Sequence, residues 1–111
     1  MGILDRPIIA VDFDGTLCEA QWPGIGEPIW PMIRYIKARQ EEGARLILWT
    51  CRCGTDLQDA VDWAKEHGIE FEAVNDNVPD MIELFDGNSR KIFAHEYIDD
   101  KAVSVMSLLN L

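Results

Sequence analysis

Short apolar runs alternate with segments of helical spacing along the whole chain. Pro7 to Phe13 reads Pro-Ile-Ile-Ala-Val-Asp-Phe, a continuous β-branched run that ends at Asp-Gly. Such a run predicts a strand buried on both faces, as in a parallel sheet. Residues 18–30 carry Pro23, Gly24, Gly26 and Pro28 and predict a loop. A helix begins near Pro31, with Ile29, Met32, Ile33 and Ile36 on one stripe and Gly43 as its stop. Arg45 to Thr50 repeats the strand pattern. Thr55 and Gln58 then read as a capping box, before a helix with Leu57, Ala60, Val61 and Ala64 on one face and His67-Gly68 at its end. Phe71 to Val74 predicts a third strand, Val78 to Phe85 a short helix, Ile92 to Ile98 a fourth strand, and Lys101 to Leu109 a last helix. Strict alternation of this kind predicts a three-layer, Rossmann-like α/β fold with about four parallel strands and about five helices.

The 111 residues fit one domain, 1–111, because two would each be too small to bury a core. No apolar run reaches the roughly 18–20 residues that cross a bilayer. The N-terminus reads as neither a signal peptide nor a myristoylation site, since Arg6 stands where Ser or Thr is wanted. Three cysteines cannot all pair within the chain, which favours a reducing, cytoplasmic setting. The net charge of −10 opposes binding to nucleic acid or anionic membrane through the general field. Part of that charge belongs to a solvated surface; the remainder points to carboxylates gathered around a cation.

Ligands of open α/β sheets sit at the carboxyl ends of the strands. Those ends are Asp12-Phe13-Asp14-Gly15-Thr16, Thr50-Cys51-Arg52, Asn75-Asp76-Asn77 and Asp99-Asp100. Asp12, inside an apolar run, is costly to bury without a partner. Asp12 and Asp14 alternate about the strand end, and Gly15 permits the bend after them. Gathered carboxylates repel, and a divalent cation with hard oxygen ligands, Mg²⁺, removes the conflict. Cys51 is placed to offer its backbone N–H to a phosphate beside Thr50. Cys51-x-Cys53 does not complete a zinc site, because the spacing of Cys18, His67 and His95 matches no common pattern.

Taken in order, these residues resemble the four motifs of the haloacid dehalogenase (HAD) superfamily of phosphohydrolases. Asp12-Phe13-Asp14-Gly15-Thr16 resembles the first, Thr50 the second, Lys91 the third and Asp99-Asp100 the fourth. The resemblance spans residues 8–100. It implies Mg²⁺-dependent phosphoryl transfer through an aspartyl-phosphate. Asp12 is then the nucleophile, and Asp14 the acid that protonates the leaving oxygen and the base that activates water. The metal falls to Asp12, the Asp14 backbone carbonyl and Asp99 or Asp100. Gly15, Thr50, Cys51 and Lys91 line the phosphate, with Arg90, Arg52 and Lys101 as substitutes for Lys91. A carboxylate nucleophile, one metal and one cation are also what phosphoryl transfer asks for chemically.

Neither residues 17–30 nor residues 51–90 leave space for a folded insertion, so the chain resembles a capless member. Its open site implies cover from a second subunit or from the 18–30 loop, where Trp22 is placed to stack on a base or sugar. The expected partner is a phosphorylated substrate, a small phosphate ester rather than a nucleic acid. Two alternatives stay open: a signalling receiver domain, which places Lys where this chain has Asp99-Asp100, and a non-catalytic phosphate-binding module.

Overall fold

The computed structural model describes residues 6–109. Its strands are β1 (Ile8–Val11), β2 (Arg45–Leu48), β3 (Ala73–Val74) and β4 (Glu96–Ile98); its helices are α1 (Trp30–Glu41), α2 (Gly54–Glu66), α3 (Pro79–Phe85) and α4 (Val105–Leu109). All four strands are parallel, in the order β3-β2-β1-β4. Side chains of β1 alternate between two cores, as a strand buried on both faces must. Ile9 and Val11 join Leu46, Leu48, Ile33, Ile36, Ala60 and Ala64 beneath α1 and α2. Ile8 and Ala10 join Ile47, Val78, Met81 and Ile92 on the other face, under α3. The fold is therefore the expected three-layer Rossmann-like sheet, and no cap domain interrupts the described residues. Among the described residues no helix is long and apolar enough to cross a membrane.

Four differences from the sequence expectation have physical causes. Among the described residues there are four helices, against about five expected. The fourth strand is confined to Glu96–Ile98 rather than Ile92–Ile98. Ahead of it, His95 N–H donates to Ile8 O at 2.8 Å, while Ile8 N–H donates to the His95 ring Nδ1 at 2.9 Å. A side chain there takes the place of the next ladder partner. The Thr55 capping box does not form: Cys53 is the N-cap, without a side-chain cap, and Gln58 donates to Asp62 instead. The last helix spans only Val105–Leu109 and buries nothing. Residues 1–5, on which the leader and lipidation readings partly rest, lie outside the described residues, as do 110–111.

A buried amide sets the course of the chain into β4. Asn77 is 5% exposed; its Oδ1 accepts from Phe93 N–H at 2.6 Å and its Nδ2 donates to Asn88 Oδ1 and Ser89 O. Removing one member of a buried polar set leaves the others unsatisfied. Asn77→Ala is expected to lower stability by about 2–3 kcal/mol, read as a shifted midpoint at unchanged slope in urea unfolding.

Candidate functional site

The strand order fixes where a site forms. From β1 the chain builds outward through β2 and β3, then returns to place β4 on the other flank of β1. The order reverses between β1 and β4, and the carboxyl ends of those two strands open the crevice that ligands use in such sheets. Val11 is in register with Ile98, and Asp12 N–H donates to Ile98 O at 2.9 Å. The next residues on each strand are Asp12 and Asp99.

Asp12, Asp99 and Asp100 bring carboxylate oxygens within 4.8 Å of one another. Burial, then the charge of Asp99, then a hydrogen bond shared with Asp100 push Asp12 up from 3.8 to about 6; the Phe13 N–H and the Thr16 hydroxyl, 3.2 Å from Asp12 Oδ2, pull the other way. Asp100 moves downward. Against desolvation, the Lys101 ammonium at 3.3 Å and the hydrogen bond from Asp12 hold it below its ordinary value. This donor set suits a hard divalent cation: all oxygen, negatively charged and mutually repelling without one.

Gly15 lets this cluster close. Its φ is +85°, and a Cβ there would overlap the Asp100 carboxylate, with Asp100 Cγ at 2.8 Å. Its N–H donates to Cys18 O at 2.7 Å, so the phosphate contact expected of Gly15 is already committed elsewhere. The glycine serves as a tight turn and as the space into which Asp100 fits.

Asp14 stands apart from the other three carboxylates. Arg52 holds both of its oxygens, Nε to Oδ2 and Nη2 to Oδ1, each at 2.8 Å. Arg52 is 2% exposed and also donates to Pro23 O at 3.0 Å and Gly24 O at 2.6 Å, with its guanidinium 5.1 Å from the Phe13 ring centroid. The Asp14 carboxylate raises the Arg52 guanidinium against the desolvation that would lower it. Of the four carboxylates expected to converge, the Asp14 side chain is the one held apart: a fully engaged bidentate ion pair draws it toward the second strand end.

A cleft of about 290 Å³ takes in Asp12, Asp99, Trp49, Thr50, Cys51 and Asn75. Thr50 N–H donates to Asn75 Oδ1 at 2.8 Å, and Arg52 N–H to Thr50 Oγ1 at 3.1 Å. Among the described residues the Cys51 N–H between them donates to no protein acceptor. Asn75 adopts the left-handed region at φ 52°, which aims its side chain back at Thr50. From sequence, Asn75 is only a strand-end polar residue and Arg52 only a stand-in for Lys91. The signal for Arg52 is its place two residues beyond an apolar strand that ends opposite an Asp-rich turn.

Lys91 does not reach this cleft. Its ammonium lies 5.7 Å from the Tyr97 ring centroid, and it lines a separate cleft, about 640 Å³, with Phe85, Phe93 and Tyr97, where none of the clustered carboxylates lies. The irregular path of residues 92–95 leaves Lys91 short of the carboxyl end of β4. The cation beside the cluster is Lys101.

Two predictions follow from this geometry. Asp12 is raised in the fold, so it contributes stability present below pH 3.8 that is lost as pH rises through about 6. Asp100, lowered, acts oppositely below the ordinary carboxylate range. Asp12→Asn is therefore expected to stabilise the metal-free protein at pH 7.5 by about 1–2 kcal/mol after solvent screening. In melting scans, Mg²⁺ should raise the wild-type midpoint at pH 7.5, raise it far less at pH 5, and leave Asp12→Asn nearly unmoved. Separately, Gly15→Ala should cost about 2 kcal/mol or more from its positive φ and overlap with Asp100, and should remove the Mg²⁺ response in the same scans.

No family model matches the chain, and no curated protein matches it. Among solved structures, a conserved protein coded by a locus of Bacteroides thetaiotaomicron superposes with a TM-score of 0.78 at 39% identity, over 94% of this chain and 86% of that one. At that identity and coverage, this chain belongs to the same family as the conserved Bacteroides thetaiotaomicron protein.

Proposed function

We propose that the chain is a capless phosphatase of the haloacid dehalogenase superfamily, hydrolysing a phosphate monoester with Mg²⁺. The observation that carries this reading is the meeting of Asp12, Asp99 and Asp100 at the β1/β4 crevice, in one cleft with Thr50 and the unengaged Cys51 N–H.

In this reading Asp12, Asp99 or Asp100, and the Asp14 backbone carbonyl hold the cation, which when bound offsets the charge of the carboxylates and the phosphoryl oxygens. A carboxylate oxygen of Asp12 attacks phosphorus and the bond to the ester oxygen breaks, leaving the phosphoryl group on Asp12. Thr50 and the Cys51 N–H orient the phosphoryl oxygens. Asp14 gives a proton to the departing oxygen and later takes one from the water that attacks the acyl phosphate. For that, its carboxylate must turn out of the Arg52 pair. Lys101 supplies the positive charge that the resemblance assigns to Lys91, unless Lys91 leaves Tyr97. Three free cysteines fit a reducing, cytoplasmic setting.

The Arg52 grip on Asp14 favours one alternative, a phosphate-binding module without turnover. Hydrolysis of an aryl phosphate decides between them. Activity should require Mg²⁺, vanish with EDTA, and fall by about three orders of magnitude or more in Asp12→Asn. Asp14→Asn should accumulate phosphoenzyme. Beryllium fluoride bound at Asp12 without any turnover would identify the non-catalytic module, and an Asp12→Asn variant as active as wild type would overturn both.

A further inference from the structure

A second cleft, about 340 Å³, adjoins the first and shares Cys51 with it; Asp14, Trp22, Arg52, Cys53 and Asp56 complete its lining. Resting on the phosphatase reading, we propose that this cleft seats the organic part of the substrate, and that this part is a flat ring carrying N–H donors. A phosphoryl group at the Cys51 N–H directs its ester substituent across Cys51 into that space.

Trp22 is the first argument. Its indole is 64% exposed, yet the loop that carries it is pinned. Arg52 binds the carbonyls of Pro23 and Gly24, the two residues after it. Glu19 N–H donates to Glu27 O, and Ile29 N–H to Leu17 O, closing the base. Gly26 packs so tightly that a Cβ would overlap the Glu19 carbonyl. A large aromatic face held open to water on a fixed loop is preorganised for stacking.

Charge is the second argument. While Arg52 is paired with Asp14, as it is before Asp14 turns to its proton-transfer role, the pair adds no net cation to the cleft. Asp56 adds a carboxylate that accepts no protein hydrogen bond among the described residues. The polar part of the lining that the indole shares therefore accepts N–H donors and repels anions. Size is the third: this volume holds one small ring system and its sugar or linker, at the low end of small-molecule sites, and no polymer.

The test compares cytidine 5′-monophosphate with ribose 5-phosphate, the same ester without the ring. The wild type should favour the former in kcat/KM by about tenfold or more, the scale of one stacked base. Trp22→Ala should collapse that ratio, Trp22→Phe should keep most of it, and Asp56→Asn should lower it. A ratio near one, or a preference that survives Trp22→Ala, overturns the proposal while leaving the phosphatase reading intact. If neither ester is turned over, the aryl phosphate assay alone decides the phosphatase reading, and binding decides this one. Cytidine, without phosphate, should then quench tryptophan fluorescence in the wild type and not in Trp22→Phe; absence of quenching in the wild type overturns the cleft assignment.

Discussion

A guanidinium withdrawn from water must find anions or carbonyls for its donors, and Arg52 finds them on three separate stretches of chain, the third being the first turn of α2, where Asp56 O accepts at 3.4 Å. It joins the turn after β1, through Asp14, to the loop that carries Trp22, through Pro23 and Gly24, and does so from the end of β2. A buried pair of this kind is a weak source of net stability, but losing one partner strands the other. Its value lies in position. With Arg52 in place, the first and second strand ends have a fixed spacing, the loop a fixed height above them, and Asp14 a fixed side. The site is built on that spacing.

The other ordering force is repulsion. Sheet register brings Asp12 beside Asp99, and the missing side chain of Gly15 admits Asp100. Nothing in the hydrophobic core asks for this; the core is satisfied by Ile9, Val11 and Leu46 on one face and Ile8, Ala10 and Ile47 on the other. A fold that stable in its centre tolerates a strained rim, and the rim is where chemistry is found in proteins.

Much of this was legible in the chain. Apolar runs ending in Asp announce strand-end carboxylates, and alternation of strands and helices places those ends on one side of a parallel sheet. Asp12, Asp99 and Asp100 could be grouped on that basis. Three features could not. The Arg52–Asp14 pair joins residues 38 apart through a loop whose path depends on Arg52 itself. Lys91 counts eight residues before Asp99, but the distance it spans depends on whether Ile92 to His95 runs extended, and Asn77 and the His95 ring divert it. Gly15 is visible as a bend, whereas the carboxylate filling its empty side belongs to the far end of the chain.

His95 brings out a consequence of the same topology. Its contact with Ile8 joins positions 87 residues apart, and β4 touches no strand but β1. Such distant pairing closes a loop of most of the described residues and is favoured late, after local helices and the β1–β2 core have formed. On that order the acidic crevice is completed late, and its repulsion falls after much of the core has been buried. An ion, were one held there, would be a latch on the finished fold, retarding the release of β4 more than hastening its arrival.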